Sequence, residues 1–348
     1  VRDPDLGKDI VSLGFVKNLV IREGQVSFSV ELTTPACPVK DQLKAECEAR
    51  VKALPGVTGV DVTMTAQVRA TAAPAGGNRL SLPTVRNLVA VASGKGGVGK
   101  STVTVNLALA LAGTGARVGL LDADIYGPSI PLMVGSYDRP LTDGQKVVPI
   151  EKHGLRIISM GFFIPENQPV VWRGPMVHGA LTQFLTQVDW GELDYLLIDM
   201  PPGTGDAQLT ISQLAPLAGV VIVTTPQDVS LLDARKGLLM FENVHVPILG
   251  VIENMSGFAC GHCHEITPIF GQGGGEKFAR ERGVPFLGAI PIDPRVVTTG
   301  DSGNPAVAQY PDSEVAKAFV RIAGAMAARL SVHSAQANGF KPLSMEWQ

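Results

Sequence analysis

The sequence predicts an α/β fold, a mostly parallel sheet with helices on both faces, preceded by a small α/β domain. Three observations predict it. From about residue 85 to 330, apolar strand-like runs alternate with helical stretches, as in strands joined by crossover helices. One such run, residues 87–93, passes through a glycine-rich loop straight into the apolar helical stretch 103–111. Another, residues 194–198, is closed by a single carboxylate, Asp199.

The first domain covers residues 1–67. Residues 25–32 alternate polar and apolar, as a half-buried strand does. Pro38 opens a helix that runs through Leu43 and Cys47 to Val51, and residues 57–65 alternate again. Cys37 stands just ahead of that helix, where a thiol either has a lowered pKa or simply packs. Cys47 falls inside the helix and reads as core. Residues 68–84 contain Ala-Pro-Ala-Gly-Gly-Asn and no periodicity, so they read as a flexible linker. The main domain then starts near Val85.

Its loop, Gly94-Lys95-Gly96-Gly97-Val98-Gly99-Lys100-Ser101-Thr102, matches G-x-x-x-x-G-K-S between a strand and a helix. Glycines there let backbone N–H groups turn toward a phosphate, and the helix start adds partial positive charge. Lys100 reaches the β/γ-phosphates in such a site, and the Ser101 hydroxyl ligates Mg²⁺. A glycine-rich turn can match the string by chance; strand, loop, helix and Lys-Ser in order argue against that. Residues 117–121 form a second buried strand, ending in Asp122-Ala123-Asp124. Two carboxylates at a strand's carboxyl end suit Mg²⁺ or water positioning, or else cap a helix before Pro128. Residues 155–160 are a short strand. Asp199 is the second nucleotide motif, holding Mg²⁺ directly or through water, and the Pro- and Gly-rich residues 200–206 make a loop near the γ-phosphate.

Residues 219–225 and 247–252 are further buried strands around a helix at 230–244, and Asn254 follows the second of them. A strand at 286–290 leads into Pro291-Ile292-Asp293-Pro294. The closing helix, residues 312–330, puts Val315, Ala318, Phe319, Ile322, Ala323 and Met326 on one face; residues 331–348 read as a loose tail. Between these strands lies Cys260-Gly261-His262-Cys263-His264. The C-x-x-C spacing brings two thiolates to one metal centre, two ligands short of a tetrahedral zinc or iron–sulfur set. His262 and His264 complete a zinc site within the chain, or a symmetry-related subunit brings its own Cys260 and Cys263 to make four thiolates across a twofold axis. A redox pair is expected instead at a helix start.

Composition narrows the partners. Lys and Arg total 29 against 32 Asp and Glu, so no basic bias favours nucleic acid. No apolar run reaches the roughly 18 residues of a membrane span. Four cysteines are no disulfide framework, which predicts a reducing, cytoplasmic setting. The chain begins at Val1 without a secretory apolar stretch, and its own start is expected upstream or processed.

Lys95 is a second lysine in the loop, and Lys-Gly-Gly-Val-Gly-Lys-Ser-Thr resembles the deviant phosphate loop of MinD/ParA-type ATPases. Asp3-Pro4-Asp5-Leu6-Gly7, residues 10–16 and Thr33-Thr34-Pro35-Ala36-Cys37-Pro38 resemble the small domain of iron–sulfur assembly factors. With Cys260 and Cys263, residues 1–330 resemble the Mrp family of iron–sulfur carrier ATPases, including a segment at Val171-Trp172-Arg173-Gly174-Pro175-Met176. Gly261 departs from the family, which often has Pro there.

The resemblance implies a homodimer that binds ATP and Mg²⁺, hydrolyses ATP weakly, and moves a labile cluster, four-iron and shared across the dimer, from donors to apo-protein clients. It implies that Lys95 reaches the partner's nucleotide, Asp124 orients the attacking water, and Asp122 supports the metal's water shell. By the same resemblance Asn254 reads the adenine, and the segment holding Pro291 and Asp293 flanks it. The catalytic candidates are thus Lys95, Lys100 and Asp124. A positioning or partitioning ATPase is the first alternative; it needs a basic DNA-contacting surface or an amphipathic membrane helix, whereas the closing helix is not markedly basic and no Lys/Arg cluster follows it. A phosphate-loop ATPase with structural zinc is the second.

Overall fold

The computed structural model describes residues 1–71, 79–164, 174–260, 263 and 265–337. Residues 72–78 of the expected linker, the Val171-Trp172-Arg173 segment, Gly261, His262, His264 and the tail from residue 338 lie outside the described residues. The chain divides into two compact units, Val1–Ala72 with the chain from Ala327 onward, and Ala73–Met326.

In the first unit, β1 (Val16–Arg22) and β2 (Gln25–Leu32) form an antiparallel hairpin, with Glu23 and Gly24 both at positive φ in the turn. Helix α1 (Lys40–Lys52) then crosses over so that β3 (Gly59–Ala66) pairs parallel with β2, Gln25 opposite Gly59. Phe15, Phe28, Val30, Leu43, Cys47 and Val62 pack as one core, so Cys47 is a core residue as its helical position predicts. β1 escapes sequence reading because it shows no alternation: six of its seven residues are exposed.

In the second unit the elements run β4 (Val85–Ser93), α2 (Lys100–Ala112), β5 (Val118–Asp122), α3 (Ile130–Val134), β6 (Ile150–Lys152), β7 (Leu155–Ser159) and α4 (Gly174–Thr186). They continue with β8 (Leu193–Asp199), α5 (Asp206–Leu214), β9 (Gly219–Thr224), α6 (Asp228–Asn243), β10 (Ile248–Glu253), β11 (Phe258–Ala259), β12 (Ile266–Thr267) and α7 (Gly274–Arg282). β13 (Phe286–Ala289), α8 (Pro294–Asp301), α9 (Ala306–Gln309) and α10 (Glu314–Ala337) follow, the residues of α10 from Ala327 onward belonging to the first unit. Among the described residues eight strands make one sheet, ordered β13-β10-β9-β4-β8-β5-β7-β6, parallel except for β6. All residues of β5, β8 and β9 are buried, which is why they read as unbroken apolar runs rather than alternating ones. β4 lies inside the sheet between β9 and β8, so the glycine-rich loop leaves its carboxyl end from the middle of the fold.

The predicted face of the closing helix, Val315 to Met326, is buried. That helix does not stop at Leu330 as expected. Residues 331–337, read as tail, continue α10, because Leu330 and Ser334 are buried and Ser334 Oγ donates to Ala70 O at 3.1 Å. Among the described residues no helix is long and apolar enough to cross a membrane.

Candidate functional site

Gly97 and Gly99 both sit at φ +80, the left-handed region that turns successive N–H groups inward and that a side chain disfavours. Gly94 has a different reason: a Cβ there would run into the backbone of Asp233 and Ala234 in α6. Gly96 is exposed, Val98 is buried and Thr102 lies in the first turn of α2. No side chain caps α2 and its first turn holds no acid, which leaves its N-terminus suited to an anion.

Asp199 collects the donors of this loop. It is wholly buried; Lys100 Nζ lies 2.7 Å from Oδ1, Ser101 Oγ donates to Oδ2 at 2.6 Å, and Thr104 Oγ1 is 2.8 Å from Oδ1. Thr104 also has Lys100 O within 2.8 Å, so its one proton chooses between two acceptors. Strand register brings the next carboxylate: Asp122 of β5 pairs with Asp199 of β8, and Ser159 of β7 pairs with Asp122. Ser159 Oγ donates to Asp122 Oδ2 at 2.8 Å, and the Asp124 N–H donates to Oδ1 at 3.1 Å.

Burial, then the charge of Asp199, pushes the Asp122 carboxyl up to about 8. Asp124 is raised too, mainly by burial, with Lys100 opposing. Hard oxygen donors around a buried carboxylate suit Mg²⁺, so Ser101, Asp199 and Asp122 fit that ion. Lys95 is half-buried and forms no ion pair among the described residues.

Asn254 is brought to the same loop. It is buried, and its Nδ2 donates to Val98 O at 2.8 Å; a Cβ on Gly99 would collide with that nitrogen. The Pro291 segment runs alongside: Ile290 N–H donates to Glu253 O and Ile292 N–H to Gly257 O, both at 2.8 Å. Asp293 is turned to a local task. It caps α8 through Arg295 N–H at 2.9 Å and pairs with the Arg295 guanidinium at 2.6 Å, which holds its carboxyl below the usual range.

The cysteines sit on a hairpin. β11 and β12 are antiparallel, with Phe258 opposite Thr267 and Ala259 opposite Ile266, and Cys260 N–H donates to Glu265 O at 3.0 Å. Cys260 is half-buried, Cys263 is exposed, and neither forms a disulfide. Ile266, Ile269 and Phe270 beside them are exposed. Among the described residues no group of three or more Cys, His, Asp and Glu could hold a metal ion, and His262 and His264 lie outside them. Of the two readings of Cys37, packing fits: the residue packs against the first unit's core, and burial pushes its thiol up, with Asp3 and Asp5 adding to the effect.

Sequence reasoning missed Thr104, Ser159 and Glu253. Thr104 was legible as a hydroxyl three residues after Ser101 on one helix face, and Glu253 as a charge ending an apolar strand. Ser159 had no local signal; strand register alone brings it to Asp122.

A family profile described as NUBPL iron-transfer P-loop NTPase matches residues 84–327, and one described as iron-sulfur cluster assembly protein matches residues 1–62. The iron-sulfur cluster carrier protein of Synechocystis sp. is 50% identical over 339 residues, 95% of either chain. That of Deinococcus radiodurans is 47% identical over 336 residues, 96% of this chain and 94% of its own. Among solved structures, the Archaeoglobus fulgidus nucleotide-binding protein in complex with ADP is 40% identical with a TM-score of 0.59, over 66% of this chain and 90% of its own. The cell division ATPase MinD of Pyrococcus furiosus is 25% identical with a TM-score of 0.53, over 69% of this chain and 98% of its own.

Proposed function

We infer the function from the premise that this chain belongs to the family of NUBPL iron-transfer P-loop NTPases: it is an ATP-hydrolysing carrier that holds a labile iron–sulfur cluster on Cys260 and Cys263 and delivers it to apo-proteins. One observation carries this reading. Two cysteines outside any disulfide stand on a hairpin that follows the strand end whose Asn254 holds the phosphate loop.

The loop N–H groups and the α2 N-terminus bind the phosphates, and Lys100 exchanges its Asp199 partner for the β/γ-phosphate oxygens. Ser101 and Asp199 hold Mg²⁺, with Asp122 behind its water shell; the ion, when bound, neutralises charge developing on the transferred phosphoryl group. Asp124 orients the attacking water. Lys95 acts on the nucleotide of a second copy, a role supported by its forming no ion pair among the described residues. The same twofold brings Cys260 and Cys263 of both copies together around one [4Fe–4S] cluster. Hydrolysis is weak because its task is to change the dimer, and clients and cluster donors meet the exposed hairpin. We assign the protein to the cytoplasm, where both thiols stay reduced.

Protein purified without oxygen, then assayed for iron, sulfide and zinc, tests the reading. About one four-iron cluster per dimer is expected on this ligand count; zinc with neither iron nor sulfide would overturn it.

A further inference from the structure

The end of β10 faces two ways. Asn254 holds the phosphate loop through Val98 O. Its neighbour Glu253, wholly buried, points its carboxylate at the other side and accepts three hydrogen bonds. Oε1 takes Ser256 Oγ at 2.5 Å and Gly273 N–H at 2.9 Å; Oε2 takes Gly275 N–H at 2.5 Å. Ser256 lies just before the cysteine hairpin, and Gly273 and Gly275 lie just after it. One carboxylate therefore grips both feet of the segment that carries Cys260 and Cys263. The grip also caps α7, whose N-cap is Gly273 and which has no cap from its own side chains. Glycine is required there: a Cβ on Gly275 would press on Glu253, and one on Gly274 would strike Pro226 O.

Successive residues of an extended strand face opposite ways, so adjacent positions hold the nucleotide loop and the hairpin with no intervening side chain. We propose that Glu253 is a positioning residue that couples the phosphate loop to the cysteine hairpin, so that nucleotide at the loop changes the exposure of Cys260 and Cys263. The proposal rests on the reading of the chain as a nucleotide-driven cluster carrier. A shift of Val98 is passed through Asn254 to the rigid turn at residues 253–256, where Met255 is held at φ +58, and from there to both feet of the hairpin.

The test uses the full chain without cluster. Iodoacetamide labelling of Cys260 and Cys263 is followed by mass spectrometry, with and without Mg²⁺ and a non-hydrolysable ATP analogue. Nucleotide is expected to change the labelling rates by about fivefold or more, a common size for coupling between sites. Glu253→Gln removes one acceptor and should bring the ratio close to one, while a fluorescent nucleotide still binds. Ser256→Ala frees one foot and should give an intermediate ratio. A loss of packing alone would raise both rates and leave their ratio unchanged. A wild-type ratio of one, or a wild-type ratio in nucleotide-bound Glu253→Gln or Ser256→Ala, overturns the proposal. Because no cluster is present, failure here is distinct from failure of the protein to take up iron and sulfide.

Discussion

At Lys100 a single ammonium pairs with Asp199 in this structure, and under the proposed function it exchanges that partner for a phosphate during turnover. Lys100→Ala should therefore lower ATP turnover by about 100-fold or more, as removal of a preorganised charge does in other enzymes; phosphate release measures it, and undiminished turnover would exclude this site. Asp122 gives a pH signature. Its carboxyl keeps a proton to about 8 in the folded chain, whereas an unfolded one loses it near 3.8. The folded state then binds more protons across that window, so in Mg²⁺-free buffer its contribution to stability declines as pH rises from about 4 to about 8. Asp122→Asn, neutral at every pH, should flatten that slope in urea midpoints; an unchanged slope would assign it elsewhere. The phosphate loop was legible because nine consecutive residues carry its geometry. The pairing of Asp122 with Asp199 was not, because it depends on strands 77 residues apart falling into register.

At the scale of the element, Gly97 and Gly99 share φ +80 but not their surroundings: a Cβ at Gly97 meets nothing within 4 Å, while one at Gly99 meets Asn254. Gly97→Ala should cost about 1–2 kcal/mol in thermal or urea unfolding, the backbone term alone. Gly99→Ala should cost more and weaken nucleotide binding as well; equal losses in the two variants would contradict the Asn254 contact. On the hairpin, Cys260→Ala and Cys263→Ala should each abolish cluster retention, read by iron content, and Cys37→Ala and Cys47→Ala should not. Retention after both hairpin cysteines are replaced would show that the ligands are elsewhere. Buried strands and α10 were legible from apolar runs and helical periodicity. β11 and β12 were not, being two residues each, and neither was the grip of Glu253, which joins positions 20 and 22 residues apart.

For the whole molecule the test of twofold action is a mixture. If each pocket combines Lys100 of one chain with Lys95 of the other, a heterodimer of Lys95→Ala and Lys100→Ala has one intact pocket and one with both lesions. Activity should partly return on mixing two inactive preparations; full activity of Lys95→Ala alone would remove the case for a shared pocket. The position of β4 between β8 and β9 has a consequence for biosynthesis. Its hydrogen-bonding neighbours are residues 193–199 and 219–224, so a ribosome that has finished the phosphate loop has not yet made the strands that hold it. At translation rates of about 5–20 residues per second, the roughly 130 residues from Ser93 to Thr224 take about 7–26 s. Through that interval the growing chain carries a β4 that still lacks at least one of its two neighbours, with apolar residues that need shielding, and nascent chains halted before Thr224 should fail to retain ATP however complete their loop sequence.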